Sequence, residues 1–199
     1  GITGGDRLDI RATAGAGSQL MLTTQAAERA YRAQPGQSGR MHTRLRAEAD
    51  AALFWVPQET ILYDGAVFDR RLRADISATS RFLMVEPVLF GRRAMGEDVR
   101  DLFFRDHVDV RSDGQPLYRD GMALEGCVAS QLDRPAIGNG ARALASLIWH
   151  APEARGQLDS VRALLNRAGG ATMLSGNLMA LRMLAEDGFA LRQRLLPIL

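Results

Sequence analysis

Four carboxylates are the residues of this sequence whose positions best suit chemistry: Glu59, Asp64, Glu86 and Glu97. Glu86 is the most unusual of them, because it interrupts a run that is otherwise apolar on both faces. Burying a carboxylate is costly unless the group is paired or hydrogen-bonded. We therefore expect Glu86 either to form a purely structural salt bridge with Arg92 or to belong to an interior polar path lined by acids.

Catalytic arrangements have weaker support from the same residues. A pair such as Glu59 and Glu86 would suit a carbohydrate-active enzyme only if the carboxyl groups lay about 5–9 Å apart, which the sequence does not establish. Ser130 and Ser160 lack the glycine elbow of a hydrolase nucleophile. The run Gly4-Gly5-Asp6-Arg7 has neither the spacing of a phosphate loop nor a following helix, so we interpret it as a tight turn into a strand at Leu8.

The histidines and the cysteine do not form a metal-binding pattern. The three histidines are far apart, and none has a second ligand one helical turn away: His42, His107 and His150. Cys127 is the only cysteine, so no disulfide forms within the chain. Stable zinc or nickel sites draw on clustered His and Cys ligands. The sequence therefore predicts no tightly bound metal.

The charge pattern excludes some partners and locations. All 25 basic residues are arginine, 23 residues are acidic, and the formal net charge is +2. Acids are interleaved with the arginines, whereas a nucleic-acid-binding protein shows a basic stripe, so no nucleic acid partner is predicted. No apolar stretch reaches the ~18 residues that cross a membrane, and no signal-peptide pattern is present. These features, with the single cysteine, favour the cytoplasm.

Period-two alternation predicts β-strands over the first two thirds of the chain. Residues 41–50 alternate apolar and polar side chains, and Leu8 and Ile10 show the same pattern. Further strand candidates are residues 19–24, 53–56, 59–63, 66–77 and 101–111. Residues 82–92 are apolar on both faces, which is typical of a strand inside a layered structure. Asp113-Gly114 predicts a hairpin turn.

The last third of the chain combines strands and helices. The predicted elements are a strand over 143–149, a helix over 153–168 that stops at Gly169-Gly170, two short strands over 171–184, and a last helix from Asp187 toward Leu196. The first helix is predicted from apolar residues at helical spacing: Leu158, Val161, Leu164, Leu165 and Ala168. This order favours one mainly β domain over 1–199, strand-rich over 1–135 and mixed over 136–199.

Seven short motifs follow one another along the chain. They are Gly4-Gly5-Asp6-Arg7-Leu8, Leu22-Thr23-Thr24-Gln25-Ala26-Ala27, Tyr31-Arg32, Trp55-Val56-Pro57-Gln58-Glu59-Thr60-Ile61-Leu62, Asp64-Gly65-Ala66, Glu86-Pro87-Val88-Leu89-Phe90-Gly91-Arg92 and Ala94-Met95-Gly96-Glu97. The tryptophan motif and the glycine-arginine motif are far more specific than any single glycine motif. Together the motifs resemble the urease accessory protein UreD family, called UreH in some bacteria, over essentially the whole chain.

The resemblance implies both a fold and a role. The fold would be mainly β, a stacked, β-helix-like array of strands with α-helices near the C-terminus. The protein would be a non-enzymatic factor in urease maturation that binds UreF, which recruits the nickel-carrying GTPase UreG, and that contacts the urease apoprotein. An internal tunnel would carry nickel, which would be held only transiently, because carboxylates release nickel faster than a thiolate or histidine cage.

The resemblance also suggests which residues line such a path. Asp6, Glu86 and Glu97 are the leading candidates, with Arg92 holding and charge-balancing Glu86. Glu59 and Asp64 are further candidates, although their motif also suits turn chemistry between strands. A purely structural interaction module with no ion path is the remaining alternative.

The chain departs from the family pattern at three places. Relatives often have a small polar residue and a lysine where this chain has Glu28 and Arg29. The strands that precede Gly4 in relatives are absent, and the chain stops at Leu199. We therefore expect the sequence to be truncated at both ends, with an exposed sheet edge.

Overall fold

The computed structural model describes residues 1–165, 167 and 169–199, and these residues form two β-sheets and a layer of helices. The strands are β1 (Arg7–Ala14), β2 (Gln19–Leu22), β3 (Glu28–Ala30), β4 (Gly39–Ala47), β5 (Ala52–Trp55), β6 (Thr60–Leu62), β7 (Val67–Ile76), β8 (Arg81–Phe90), β9 (Leu102–Ser112), β10 (Gln115–Gly126), β11 (Ala143–His150), β12 (Gly169–Met173) and β13 (Leu178–Ala185). The α-helices are α1 (Val128–Asp133), α2 (Ala154–Leu165) and α3 (Gly188–Leu195), and 3₁₀ helices cover Arg93–Met95 and Leu196–Ile198.

The chain winds between the two sheets in successive coils. Sheet I has the strand order β1-β4-β7-β9-β10, and sheet II has the order β12-β13-β11-β8-β5-β2, with β3 and β6 beside β8. Parallel neighbours need a crossover connection, and in each coil the crossover from one strand of sheet I to the next passes through sheet II. The predicted mainly β, stacked-strand fold with helices near the C-terminus is confirmed.

The predicted alternation sets the inner face of sheet I. Met41, Thr43, Leu45 and Ala47 of β4 are buried, while the residues between them face outward. Pairing with β1 and β7 aligns their inward residues in the same rows. The resulting apolar core lies between the two sheets.

Strand β8 is buried on both faces, as its composition predicts, and it organises sheet II. Its first half pairs with β5 up to Met84, and its second half pairs with β6 from Val88. Pro87 lies in the gap between these two partners, where the missing backbone N–H costs no ladder hydrogen bond. The other edge of β8 pairs continuously with β11.

The C-terminal elements cover the outer face of sheet II. Helices α2 and α3 pack on it through a second apolar cluster that includes Val161, Leu165, Leu191 and Leu195. Asp187 caps α3 by accepting a hydrogen bond from the Ala190 backbone N–H (2.8 Å), at the predicted helix start. No helix in the described part of the chain has the length and apolar character needed to cross a membrane.

The structure differs from the sequence predictions in local details. Helix α1 was not predicted, because its six residues are too few to show helical periodicity. Gly169 and Gly170, predicted to stop α2, already belong to strand β12. Ala168, which was predicted to extend the apolar side of α2, lies outside the described residues.

Candidate functional site: an interior polar layer

A buried arginine lies between the two sheets. Arg70 occupies an inward position of β7 between Phe68 and Leu72, and only 3% of the residue is exposed. A guanidinium stays charged in proteins and must therefore be paired where it is buried. Its position fixes where the carboxylates of the interior must lie.

Two carboxylates and a hydroxyl surround the Arg70 guanidinium. Nη1 donates to Glu86 Oε2 of β8 (2.5 Å) and to Thr60 Oγ1 of β6 (3.2 Å). Nε and Nη2 donate to the two oxygens of Asp106 in β9 (3.0 and 2.6 Å). The second oxygen of Glu86 accepts a hydrogen bond from Trp55 Nε1 (2.7 Å). The cluster therefore ties sheet I to sheet II through charge-assisted hydrogen bonds.

Burial and the neighbouring charges shift the pKa values of Glu86 and Arg70 in this cluster. Burial raises the pKa of Glu86 above its ordinary value, and the opposing attraction of Arg70 does not cancel that effect. Asp106, a second carboxylate nearby, adds to the rise in the Glu86 pKa. Burial acts to lower the pKa of Arg70, but Asp106 and Glu86 outweigh it and keep that pKa above its usual range. Two carboxylates thus share one guanidinium, and Glu86 is easier to neutralise than an ordinary glutamate.

The polar layer continues from this cluster toward β10, the edge strand of sheet I, and β13 of sheet II. Asp120 of β10 is ion-paired with Arg182 of β13, and Arg182 Nε also donates to Ser146 Oγ of β11 (3.3 Å). Tyr118 lies beside Asp120, and the negative charge of Asp106 also acts on it. Burial and then these carboxylates raise the pKa of Tyr118. The layer therefore links the buried cluster with the sheet edge.

Side-chain exposure increases steadily along this layer. The exposed fraction is 6% at Glu86, 14% at Asp106, 25% at Asp120 and 51% at Arg182. The layer contains three carboxylates and two guanidinium groups, so its formal charge is negative when all are ionised. The net negative charge favours cations over anions within this layer.

The predicted salt bridge between Glu86 and Arg92 is wrong, and so is the supporting role of Arg92 at Glu86. Arg92 lies beyond the end of β8, where its backbone N–H and side chain donate to Glu97 (2.9–3.2 Å). Its guanidinium also stacks over the ring of Tyr63, 4.3 Å from the centroid. The physical reason is strand geometry, because six residues along an extended strand separate two side chains by ~20 Å.

Asp64 and Glu97 lie together at a separate surface cluster. Asp64 accepts hydrogen bonds from the backbone N–H groups of Arg100 and Asp101 (2.8 and 2.9 Å) and pairs with Arg32 (2.5 Å). Burial acts to raise the pKa of Asp64, but these donors outweigh it and hold that pKa below its ordinary value.

The same balance lowers the pKa of Glu97, where the hydrogen bonds from Arg92 outweigh burial. Both acids of the surface cluster are therefore stabilised in their ionised forms by donors that hold the loops in place.

Glu59 and Asp6 lie in two further places. Glu59 accepts hydrogen bonds from Arg192 of α3 (2.6 and 3.2 Å), so it faces the helix layer on the side of sheet II opposite to Glu86. Asp6 accepts a hydrogen bond from the Thr3 backbone N–H (2.8 Å) in the predicted turn before β1. The five predicted path residues are therefore not brought together, and Glu59 and Glu86 do not face a common substrate.

Sequence reasoning missed four members of the layer: Arg70, Asp106, Asp120 and Arg182. The signal was available for Arg70 and Asp106, because each interrupts the inward alternation of its strand as Glu86 does in β8. Only the strand register shows that these interruptions lie at one level of the sandwich. In the described residues, no group of three or more His, Cys, Asp or Glu side chains has an arrangement that could hold a metal ion.

Comparison with known proteins identifies the family to which the chain belongs. The profile of the UreD urease accessory protein matches residues 1–199. The chain is 58% identical to the urease accessory protein UreD of Roseobacter denitrificans over 199 residues, which are all of this chain and 73% of that protein. It is 46% identical to the UreD of Ruegeria pomeroyi and 43% identical to that of Agrobacterium fabrum, covering 77% and 69% of those proteins. The chain therefore belongs to the UreD family of urease accessory proteins.

Proposed function

We propose that this chain is a non-enzymatic scaffold that passes nickel to the urease apoprotein, with UreF and UreG as its partners in the cytoplasm. Membership of the UreD family gives the chain a role in urease maturation. The proposal adds nickel as the cargo, UreF, UreG and the urease apoprotein as the partners, and the polar layer as the route. The observation that supports the route is the negatively charged polar layer, which runs from Asp120 at the edge of the sandwich to Glu86 in its interior.

The chemistry of the layer suits transport better than storage. Nickel, as the cargo, would meet Asp120 first, then Asp106 and then Glu86. Carboxylates are hard ligands that exchange a divalent cation readily, in contrast to thiolates. Arg70 competes with the cation for two of these carboxylates, which keeps each contact weak. A weakly held cation is one that can be released to the next protein.

The test is nickel-dependent activation of urease apoprotein in the presence of UreF and UreG. The variants are Glu86→Gln and Asp120→Asn, which remove negative charge from the two ends of the layer with little change of shape. Glu153→Gln is the matched control, since Glu153 forms an exposed ion pair with Arg81 outside the layer. We expect both layer variants to lower the rate of activation about tenfold or more, and the control to match the unaltered protein.

Complex formation separates the nickel route from a purely structural role. If the layer variants form all complexes and activate urease at the normal rate, the chain is an interaction module without an ion path. If the unaltered protein binds none of the three partners, the scaffold role itself is wrong. The carbohydrate-active alternative receives no support from the structure, because Glu59 and Glu86 lie on opposite faces of sheet II.

A further inference from the structure

The outer face of sheet I has a large excess of arginine. We define this arginine face as the outward-pointing side chains of β1, β4, β7, β9 and β10. Its arginines are Arg7, Arg11, Arg40, Arg44, Arg46, Arg71, Arg73, Arg105, Arg111 and Arg119, and its acids are Asp9, Asp69, Asp75, Asp109 and Glu125. Ten positive charges against five negative ones leave a formal excess of five. Since the whole chain is +2, the rest of it is formally −3.

Strand register arranges these side chains in rows across the sheet. One row contains Arg7, Arg40, Asp69 and Arg105 in adjacent strands. Adjacent strands lie ~4.8 Å apart, and like charges at directly opposite positions of neighbouring strands destabilise a sheet. Folding stability alone therefore does not account for two neighbouring arginines at one end of this row.

Several of these arginines have no carboxylate partner in the described part of the chain: Arg7, Arg11, Arg40 and Arg105. Asp69, their neighbour in the row, is held by Arg71, whose Nε and Nη2 donate to its two oxygens (3.0 and 3.1 Å). These four guanidinium groups keep their planar pairs of N–H donors available for carboxylates of another molecule.

The face is open and of suitable size for a protein partner. The α2 and α3 helices pack on sheet II, on the opposite side of the molecule, and no element in the described ranges lies over the outer face of sheet I. Strands ~4.8 Å apart with ~3.3 Å per residue give it a flat area of about 600 Å², before the length of the arginine side chains is counted. A typical stable interface buries ~800 Å² on each partner.

We propose that the arginine face is a docking surface for an acidic protein surface. Its excess positive charge complements carboxylates, and arginine is enriched at protein interfaces because its fork pairs with them in two-point contacts. Asp69, Asp75 and Asp109 interrupt the arginines of the face, so it suits a protein surface of mixed charge better than an unbroken phosphate backbone. The proposal does not require nickel to pass through the polar layer.

The test compares two triple variants that remove the same charge. The face variant carries Arg7→Gln, Arg40→Gln and Arg105→Gln. The control variant carries Arg29→Gln, Arg134→Gln and Arg155→Gln, which lie outside the face on β3, after α1 and on α2. The dissociation constants with purified urease apoprotein, UreF and UreG are measured at low and at physiological salt. Glutamine keeps much of the side-chain length. Thermal unfolding is measured to check that both variants fold.

The expected result is that the face variant binds at least one of the three proteins about tenfold more weakly and with a shallower salt dependence, while the control variant binds normally. Equal weakening in both variants, or unchanged binding by the face variant, would overturn the proposal. An unaltered protein that binds none of the three would overturn it together with the proposed scaffold role. Transfer RNA bound by the unaltered protein and lost in the face variant, with protein binding intact, would assign the surface to nucleic acid instead.

Discussion

Arg70 shows at the scale of single residues why the interior of this protein tolerates charge. Its guanidinium donates hydrogen bonds to both Glu86 and Asp106. Every buried side-chain nitrogen or oxygen atom in the described residues has a hydrogen-bond partner. The sequence indicated that Glu86 is buried, because its strand is apolar on both faces. It could not identify Arg70 as the partner, because alternation carries no information about the opposing sheet.

We expect Arg70→Ala to be strongly destabilising. The substitution leaves Glu86 and Asp106 facing each other without a cation, and removing one member of a buried pair costs about 3–5 kcal/mol. Arg73→Ala is the control three residues along the same strand, where an exposed pair with Asp75 is lost and little change is expected. Urea unfolding of the two variants measures both free energies. Equal stabilities would mean that water already solvates the Glu86 cluster.

The pH dependence of stability should differ in sign between Glu86 and Asp64. The folded pKa of Glu86 is raised above its ordinary value of 4.5, so its stabilising contribution is complete below that value and is lost as pH rises through the folded pKa. The folded pKa of Asp64 is lowered from 3.8, so its contribution is present above 3.8 and is lost as pH falls through the folded pKa.

Urea unfolding at a series of pH values, with Glu86→Gln and Asp64→Asn beside the unaltered protein, measures this difference. Relative to Glu86→Gln, the unaltered protein should lose stability as pH rises above 4.5. Relative to Asp64→Asn, it should lose stability as pH falls below 3.8. The same sign for both comparisons would contradict the assigned environments.

At the scale of elements, α3 and its start at Asp187 are the clearest case of a predicted feature. Asp187 marks the start of the helix in the sequence, and the structure places it as the N-cap. The sequence could not show that Arg192 ties the helix to Glu59 in the β5–β6 connection, because the two residues are 133 positions apart. Long-range pairings of this kind depend on the complete packing of the sheets.

We expect Leu191 to anchor α3 on sheet II and Phe189 to contribute little. Leu191 is 1% exposed and Phe189 is 73% exposed, although both are large apolar residues of one short helix. Leu191→Ala should lower the free energy of unfolding by about 2–5 kcal/mol, whereas Phe189→Ala should change it by less than about 0.5 kcal/mol. Chemical denaturation measures both values. A large effect at Phe189 would show that this side chain is covered in solution.

At the scale of the whole molecule, the strand register determines which charged side chains share one surface, and the composition alone does not. Arg7, Arg40, Asp69 and Arg105 are separated by 33, 29 and 36 residues, yet they lie side by side in sheet I. The unequal spacings explain why the chain shows no sequence repeat although it forms repeated coils. From the sequence, the arginines therefore appear evenly mixed with acids, and their concentration on one face emerges only when the strands are aligned.

Ion-exchange chromatography tests this uneven distribution without any partner protein. The face variant (Arg7, Arg40 and Arg105 to Gln) and the control variant (Arg29, Arg134 and Arg155 to Gln) have the same formal net charge. A resin surface interacts with the most favourable face of a protein rather than with its average charge. The face variant should therefore elute from a cation exchanger at lower salt than the control variant at neutral pH. Co-elution would show that the arginines of sheet I do not act as one surface, because Asp9, Asp69, Asp75, Asp109 and Glu125 would then screen them from outside molecules.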